Sequence, residues 1–246
     1  MTTIVVPCYN EEKRLDEGAF LAYARAQQDT RFLFVNDGST DGTAQVLDRL
    51  CRENPERLDA LHLPHNSGKA EAVRRGVLHA LDLGSRYVGY WDADLATPLE
   101  EIAHFSRVLD RRPDIDLVMG ARVQLLGRSI QRKALRHYLG RACATAVSLA
   151  LHLETYDTQC GAKLLRDTSE IRQVFEAPFI AGWIFDVEII ARMIAFRRRK
   201  GLPDVSRAIV EWPVETWNDV AGSKIKLRDY AVAAWNLGRI RRRYLR

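Results

Sequence analysis

The sequence predicts an α/β protein: a mostly parallel central sheet with helices on both faces, followed by a basic helical C-terminal lobe. Three observations carry this. Short apolar runs alternate with amphipathic helical stretches through the first half. The runs are continuously hydrophobic, as strands buried on both faces require. Each run ends in a polar cluster, "PCYNEE", "NDGSTDG", "PHNSGK" and "DADLATP" in turn. In sheets of this kind ligands bind at the carboxyl ends of the strands.

The elements follow in order. "TIVVP" is a β-branched run and the first strand. Residues 11–28 form a helix, with Leu15, Phe20, Leu21 and Ala24 on one side. "RFLFVN" (31–36) is the second strand, closed by the turn-rich "DGSTDGT". "AQVLDRLCREN" is helical and "LDALHL" (58–63) is the third strand. "KAEAVRRGVLHALDLG" places Ala70, Val73, Val77, Ala80 and Leu81 at helical spacing, and Gly84 ends it. "RYVGYW" is the fourth strand, 98–112 a helix, and "IDLVMGA" (115–121) the fifth strand. Beyond it, 130–153 is a long basic helix, "QCGAKLL" a strand, and 184–200 a helix ending in "RRRK". "RAIVEWPVETW" is an edge strand because it contains a proline. Residues 226–244 are a last basic helix. No Gly/Ser linker separates the halves, which predicts a single domain, 1–246.

Composition narrows the class. With 246 residues, 47% hydrophobic and 28% charged, the chain has the make-up of an ordinary globular protein. Cys8, Cys51, Cys143 and Cys160 form no CxxC pair, which argues against a zinc site or disulfide framework and fits a reducing cytosol. The start "MTTIVVPCYN" lacks the basic region of a signal peptide. The run "ACATAVSLAL" is far shorter than the roughly 20 apolar residues that span a membrane. Net charge is +5, and two segments carry it without acids. One lies between Asp116 and Glu154; the other follows Asp229 and ends in "GRIRRRYLR". Both suit an anionic partner: phosphate groups, a membrane surface or nucleic acid.

"YWDADLATP" sets Asp92 and Asp94 at the end of the fourth strand. They are not needed as helix caps, because Thr97, Pro98 and Glu100 compose a capping box of their own. In extended backbone, residues two apart point the same way, so both carboxylates face one point. Such a pair calls for a cation, and hard oxygen donors favour Mg²⁺ or Mn²⁺. Asp37, after the second strand, can accept hydrogen bonds from a base or ribose; the alternative is an Asx turn ahead of a helix near Thr40. Neither GxGxxG nor GxxxxGK[ST] occurs, so a dinucleotide-binding or P-loop site is not supported.

"VVPCYNEEKRL", "FVNDGSTDGT", "NSGKAEAVRRGV" and "DADLATPLEEI", in this order, resemble a GT-A glycosyltransferase of family 2, with its Rossmann-like sheet. "DTQCGAKLLR", "WIFDVEII" and "VEWPVETWNDVAGSKIKL" are similar to dolichyl-phosphate β-glucosyltransferases and the related polyprenyl-phosphate mannosyltransferases. The resemblance runs over residues 3–230. It implies that Pro7, Tyr9, Glu11, Asp37 and Lys69 meet the nucleotide-sugar, together with Asp92 and Ala93. It makes Asp92 and Asp94 the metal pair, with Asp94 the more direct ligand and a catalytic residue. Arg122 would face an acceptor phosphate, joined by Arg132 and Arg136, and Lys224 of "GSK" would close the far end. It divides the chain into a nucleotide-sugar-binding half, 1–121, and an acceptor-binding half, 122–246. Mannosyltransferases of the group often carry Gln where Ala96 stands, and an arginine before the GSK-like motif that "ETWNDVA" lacks. Both departures favour the glucosyltransferase branch.

The implied reaction is inverting transfer of a hexose, glucose from UDP-glucose first, onto a polyprenyl phosphate. A phosphate monoester needs no base, since its second pKa is about 6. A hydroxyl acceptor would, and Asp186 is then the candidate, with Asp157 second. Leu135, Leu139, Ala142, Val147 and Leu151 on the basic helix would guide a lipid tail or lie at the bilayer, or else form core or a dimer contact. Trp235 and Tyr244, among the terminal arginines, would suit a headgroup region. The resulting expectation is a cytoplasmic enzyme, peripheral on the membrane and not a nucleic-acid binder. The alternatives are a soluble or protein-linked hydroxyl acceptor, and a non-catalytic binder of nucleotide-sugar or nucleic acid.

Overall fold

A computed structural model describes residues 1–131, 134–218 and 227–245. The first half lays down β1 (Thr2–Cys8), α1 (Glu17–Ala26), β2 (Thr30–Asn36), α2 (Thr43–Glu53), β3 (Leu58–His62), α3 (Lys69–Asp82), β4 (Tyr87–Trp91), α4 (Glu101–Arg111) and β5 (Leu117–Ala121). The second half adds β6 (Ser129–Gln131), α5 (Ala134–Leu151), β7 (Ala162–Arg166), α6 (Ser169–Glu176), α7 (Phe185–Lys200), β8 (Ile209–Pro213), β9 (Thr216–Asn218) and α8 (Leu227–Tyr244). A 3₁₀ turn, Val205–Arg207, leads into β8.

The central sheet has the order β3-β2-β1-β4-β7-β5-β8. β1, β2, β3 and β4 pair in parallel, as do β5 and β8. β7 runs antiparallel to both its neighbours, β4 and β5. A strand from the second half is thus wedged into the middle of the first. The strand itself is where "QCGAKLL" predicts it; its direction and neighbours were not.

Side chains alternate across the sheet, and each face has its own core. Val5, Val35 and Tyr90 meet Val73 and Val77 of α3 and Ile189 and Met193 of α7. Ile4, Val6, Phe34 and Trp91 meet Phe20, Leu47 and Phe105 of α1, α2 and α4. Gly76 is what lets α3 lie so close to the sheet: a Cβ there would sit 2.4 Å from Val5 Cγ1 and 2.8 Å from Val35 Cγ2. β8 is an edge strand, with Pro213 as its last residue, as its sequence predicts. β6 and β9 form a separate parallel pair, and Ile130, Trp217 and Val214 make a small apolar cluster beside it.

Four local expectations are corrected. α1 begins at Glu17 rather than 11, because residues 11–15 turn back on the Glu11 carbonyl and Asp16 caps the helix through Ala19 N. The capping box ahead of α4 does not form. Thr97 is turned inward, its hydroxyl 3.6 Å from Cys160 Sγ, and Glu100 makes no cap bond. The apolar stripe of α5 is not one surface: Val147 and Leu151 belong to the core, whereas Ala142 is exposed. The side chains of Leu135 and Leu139 lie outside the described residues. Tyr244 is likewise no free headgroup contact, since its hydroxyl donates to Glu188 Oε1 at 3.1 Å.

Replacing Gly76 with alanine forces a methyl into an occupied space. Urea unfolding should show a loss of about 1–3 kcal/mol, the usual cost of overpacking a core.

Candidate active site

The polar clusters do converge on one edge of the sheet, and they are laced together there. Asn10 N donates to Ser39 Oγ, and Asn10 Oδ1 accepts from Thr40 N. Glu11 N donates to Thr43 Oγ1 at 2.8 Å. Tyr9 is exposed at the rim, Pro7 is half-buried at the end of β1, and Ala93 is buried. Asp37, 3% exposed, accepts from Ser67 N and Gly68 N, each at 2.8 Å. It is therefore no Asx turn before a helix. It clamps the loop after β3, and the next residue in that loop is Lys69, the first of α3.

Asp92 and Asp94 come together through a turn and not through extended backbone. Asp94 Oδ1 accepts from Ala96 N at 3.1 Å, and Leu95 between them has φ 50°. Asp94 thus helps form the turn after β4. Burial, and next the Asp92 charge, raise the Asp94 carboxyl above its usual range. Asp92 Oδ1 is buried, and Lys69 Nζ stands 2.5 Å from it as an ion pair. Burial alone would lower the Lys69 ammonium; Asp92, Asp186 and Asp94 outweigh it and hold it above its ordinary value. Asp92 N donates to the Gly161 carbonyl, and a Cβ on Gly161 would lie 2.1 Å from Asp92 Oδ2. Only glycine leaves room for that carboxylate.

Asp186 lies beneath this pair, in the first turn of α7. It is 6% exposed, its Oδ1 accepts from the Tyr90 hydroxyl, and Lys163 Nζ is 2.6 Å from the same oxygen. Lys163 is fully buried and also donates to the Cys160 carbonyl at 2.8 Å. Burial and Asp186 push the Tyr90 phenol well above its ordinary value, so it stays a donor.

Arg122 follows β5 as expected, but its guanidinium is already engaged. Nε meets Asp157 Oδ2 at 2.6 Å and Nη2 meets Asp157 Oδ1 at 2.8 Å, a two-pronged pair. Glu211 of β8 holds the loop beneath, accepting from Tyr156 N and Asp157 N. Asp157 therefore has both oxygens committed to an arginine, which removes the geometry a general base needs. Arg132 and Lys224 lie outside the described residues. Arg136 falls in α5, and its side chain is outside them too.

Does a divalent cation fit? Asp92 and Asp94 supply hard oxygens at one point, and an ammonium already stands against the buried oxygen of one of them. Among the described residues no three His, Cys, Asp or Glu side chains group as a metal cage. The donors fit a cation that two carboxylates would hold, its remaining positions filled from outside the protein.

Four contributors were not singled out from sequence: Gly161, Lys163, Tyr90 and Glu211. "QCGAK" held a signal for two of them, a lysine and a glycine inside an otherwise apolar strand.

This sheet, with paired carboxylates ending its fourth strand and a lysine at the neighbouring helix N-terminus, has counterparts among known glycosyltransferases. The family described as "Glycosyl transferase family 2" matches residues 3–169. A dolichyl-phosphate beta-glucosyltransferase of Trichomonas vaginalis is 33% identical over 238 residues, 92% of this chain and 66% of its own length. The Saccharomyces cerevisiae dolichyl-phosphate beta-glucosyltransferase is 30% identical over 264 residues, 99% of this chain and 75% of its own length. The chain belongs to glycosyl transferase family 2. Among solved structures, glucosyl-3-phosphoglycerate synthase from Mycobacterium tuberculosis, in complex with Mn²⁺, UDP-glucose and phosphoglyceric acid, has the same fold. Its TM-score is 0.65 at 18% identity, over 98% of this chain and 79% of that one. A Pyrobaculum calidifontis mannosyltransferase in complex with GDP-mannose and Mn²⁺ matches with TM-score 0.59 at 19% identity, over 98% of this chain and 60% of its own.

The buried pair makes a sharp forecast. Asp186→Asn leaves the Lys163 charge unpaired in the core and should cost about 3–5 kcal/mol in denaturant unfolding. Adding Lys163→Met to that variant should restore most of the loss; a double variant no more stable than the single one contradicts the pairing.

Proposed function

We propose that the protein transfers a hexose, glucose first, from a nucleotide diphosphate sugar to a polyprenyl phosphate, with inversion. UDP-glucose is the donor this reading selects. One observation carries the choice of acceptor. Both carboxylates that sequence nominates as a base are held in ion pairs, Asp186 by Lys163 and Asp157 by Arg122. A hydroxyl acceptor would need one of them to take a proton. A phosphate monoester arrives already ionised, its second pKa being about 6. The names of the relatives support the same acceptor.

In this reading residues 1–121 hold the donor and 122–246 the acceptor, within a single domain. Pro7, Tyr9, Glu11 and Asp37 frame the nucleotide, Asp37 with the acceptor capacity its two backbone bonds leave. Lys69, at the N-terminus of α3, faces the diphosphate together with that helix's dipole. Asp92 and Asp94 hold Mg²⁺ or Mn²⁺, with Ala93 between them against the donor. The cation, when bound, supplies positive charge to the departing diphosphate. An oxygen of the acceptor phosphate attacks the anomeric carbon from the face opposite the leaving group. The new C–O bond forms as the bond to the nucleoside diphosphate breaks, and that diphosphate keeps the electron pair. No proton moves. Arg122, through the Nη1 that its two-pronged pair with Asp157 does not use, draws the acceptor phosphate into line with Arg132, Arg136 and Lys224. Asp186 keeps its place in the floor as a positioning residue.

A lipid-linked acceptor brings the site to a membrane. No helix among the described residues is long and apolar enough to cross one. α8 instead presents Arg241, Arg242 and Arg243, and its Trp235 is 67% exposed. These suit peripheral contact with anionic headgroups.

Radiolabelled transfer tests the reaction. With Mn²⁺ or Mg²⁺, glucose from UDP-glucose should pass to a polyprenyl phosphate and not to the matching polyprenol. Transfer to 3-phosphoglycerate or another hydroxyl acceptor in preference would overturn the assignment. Flotation with anionic vesicles tests the membrane contact: binding at low salt should fall as salt screens the arginines, and Trp235→Ala should weaken it.

A further inference from the structure

Lys69 Nζ stands 2.5 Å from Asp92 Oδ1, against the oxygen where a cation would be held. Around it are Asp94, two residues beyond Asp92, and Asp186, which Lys163 already neutralises. Three carboxylates and two ammonium groups leave this cluster with one net negative charge. With Lys69 in place, a divalent cation would enter a site largely compensated. With Lys69 drawn off, it would meet two charges uncompensated.

Something is available to draw it off. Lys69 is the first residue of α3, and the two residues before it hang on the Asp37 carboxylate through Ser67 N and Gly68 N. Its backbone is therefore fixed to the nucleotide end of the site. Its side chain is 44% accessible, at the sheet edge along which a diphosphate would lie.

The geometry points to Lys69 as a resident cation that competes with the divalent ion for Asp92 and yields when a nucleoside diphosphate takes its charge. This rests on the reading of Asp92 and Asp94 as the cation pair. It makes metal and nucleotide bind as a coupled pair, and by linkage each must raise the affinity of the other by one common factor. The enzyme alone would hold metal weakly, and would gather it with the donor.

Titration of the full chain with Mn²⁺, followed by the loss of the free-ion electron paramagnetic resonance signal, tests this without any turnover. The wild type should bind Mn²⁺ weakly alone and more tightly with saturating UDP. Lys69→Gln should raise the affinity for Mn²⁺ alone roughly tenfold, and UDP should then add much less. Lys69→Arg, which keeps the competing charge, should behave as wild type. Asp92→Asn, combined with Lys69→Gln, should abolish the gain. Lys69→Met replaces Gln should that variant melt early. Unchanged or weaker Mn²⁺ binding in the charge-removed variants overturns the exchange while leaving the cation pair standing. Absence of Mn²⁺ binding by wild type and variants alike, with and without UDP, overturns both.

Discussion

Lys163 is fully buried in the middle of a sheet, and the carboxylate 2.6 Å from its ammonium is what permits it to be there. The pair ties β7 to α7, and the Tyr90 hydroxyl ties both to β4. Because β7 is fixed in this way, its approach to β4 is fixed too, and Gly161 just ahead of it opens the space that Asp92 occupies. Lys69 then has a partner, and the helix it begins is oriented toward the same point. A buried ion pair stabilises little by comparison with an apolar pair of like volume. Its value here is positional: one arrangement of β4, β7 and α7 satisfies both charges, and others leave one bare.

The parallel half of the sheet was legible because its signal is local. Continuous apolar runs, helical spacing and the turn residues between them gave β1 to β5 within a few residues. The antiparallel insertion of β7 was not, since strand direction and partners depend on contacts far apart in the chain. The same holds for Arg122 and Asp157, 35 residues apart and both named from sequence, yet not as partners of each other. The capping box misled because "TPLE" satisfies its pattern while Thr97 has a better-packed place against Cys160. There tertiary packing overrode a local rule.

Ala96 gains a physical account. The small cluster of Ile130, Val214 and Trp217 lies on the far side of the site, and Ala96 packs against it. Asn218 N also donates to the Ala96 carbonyl. An amide side chain at 96 would press toward this apolar group. One of the two departures from the mannosyltransferase pattern thus sits where the β6–β9 pair meets the turn made by Asp94.

Glu188, wholly buried in α7, accepts from Ile180 N, Ala181 N, the Arg192 guanidinium and the Tyr244 hydroxyl. Asp186 lies half a turn before it. The end of the last helix is therefore hydrogen-bonded to the segment that leads into the site. Removing the Tyr244 hydroxyl would leave Glu188 Oε1 to Arg192 alone, two residues from Asp186.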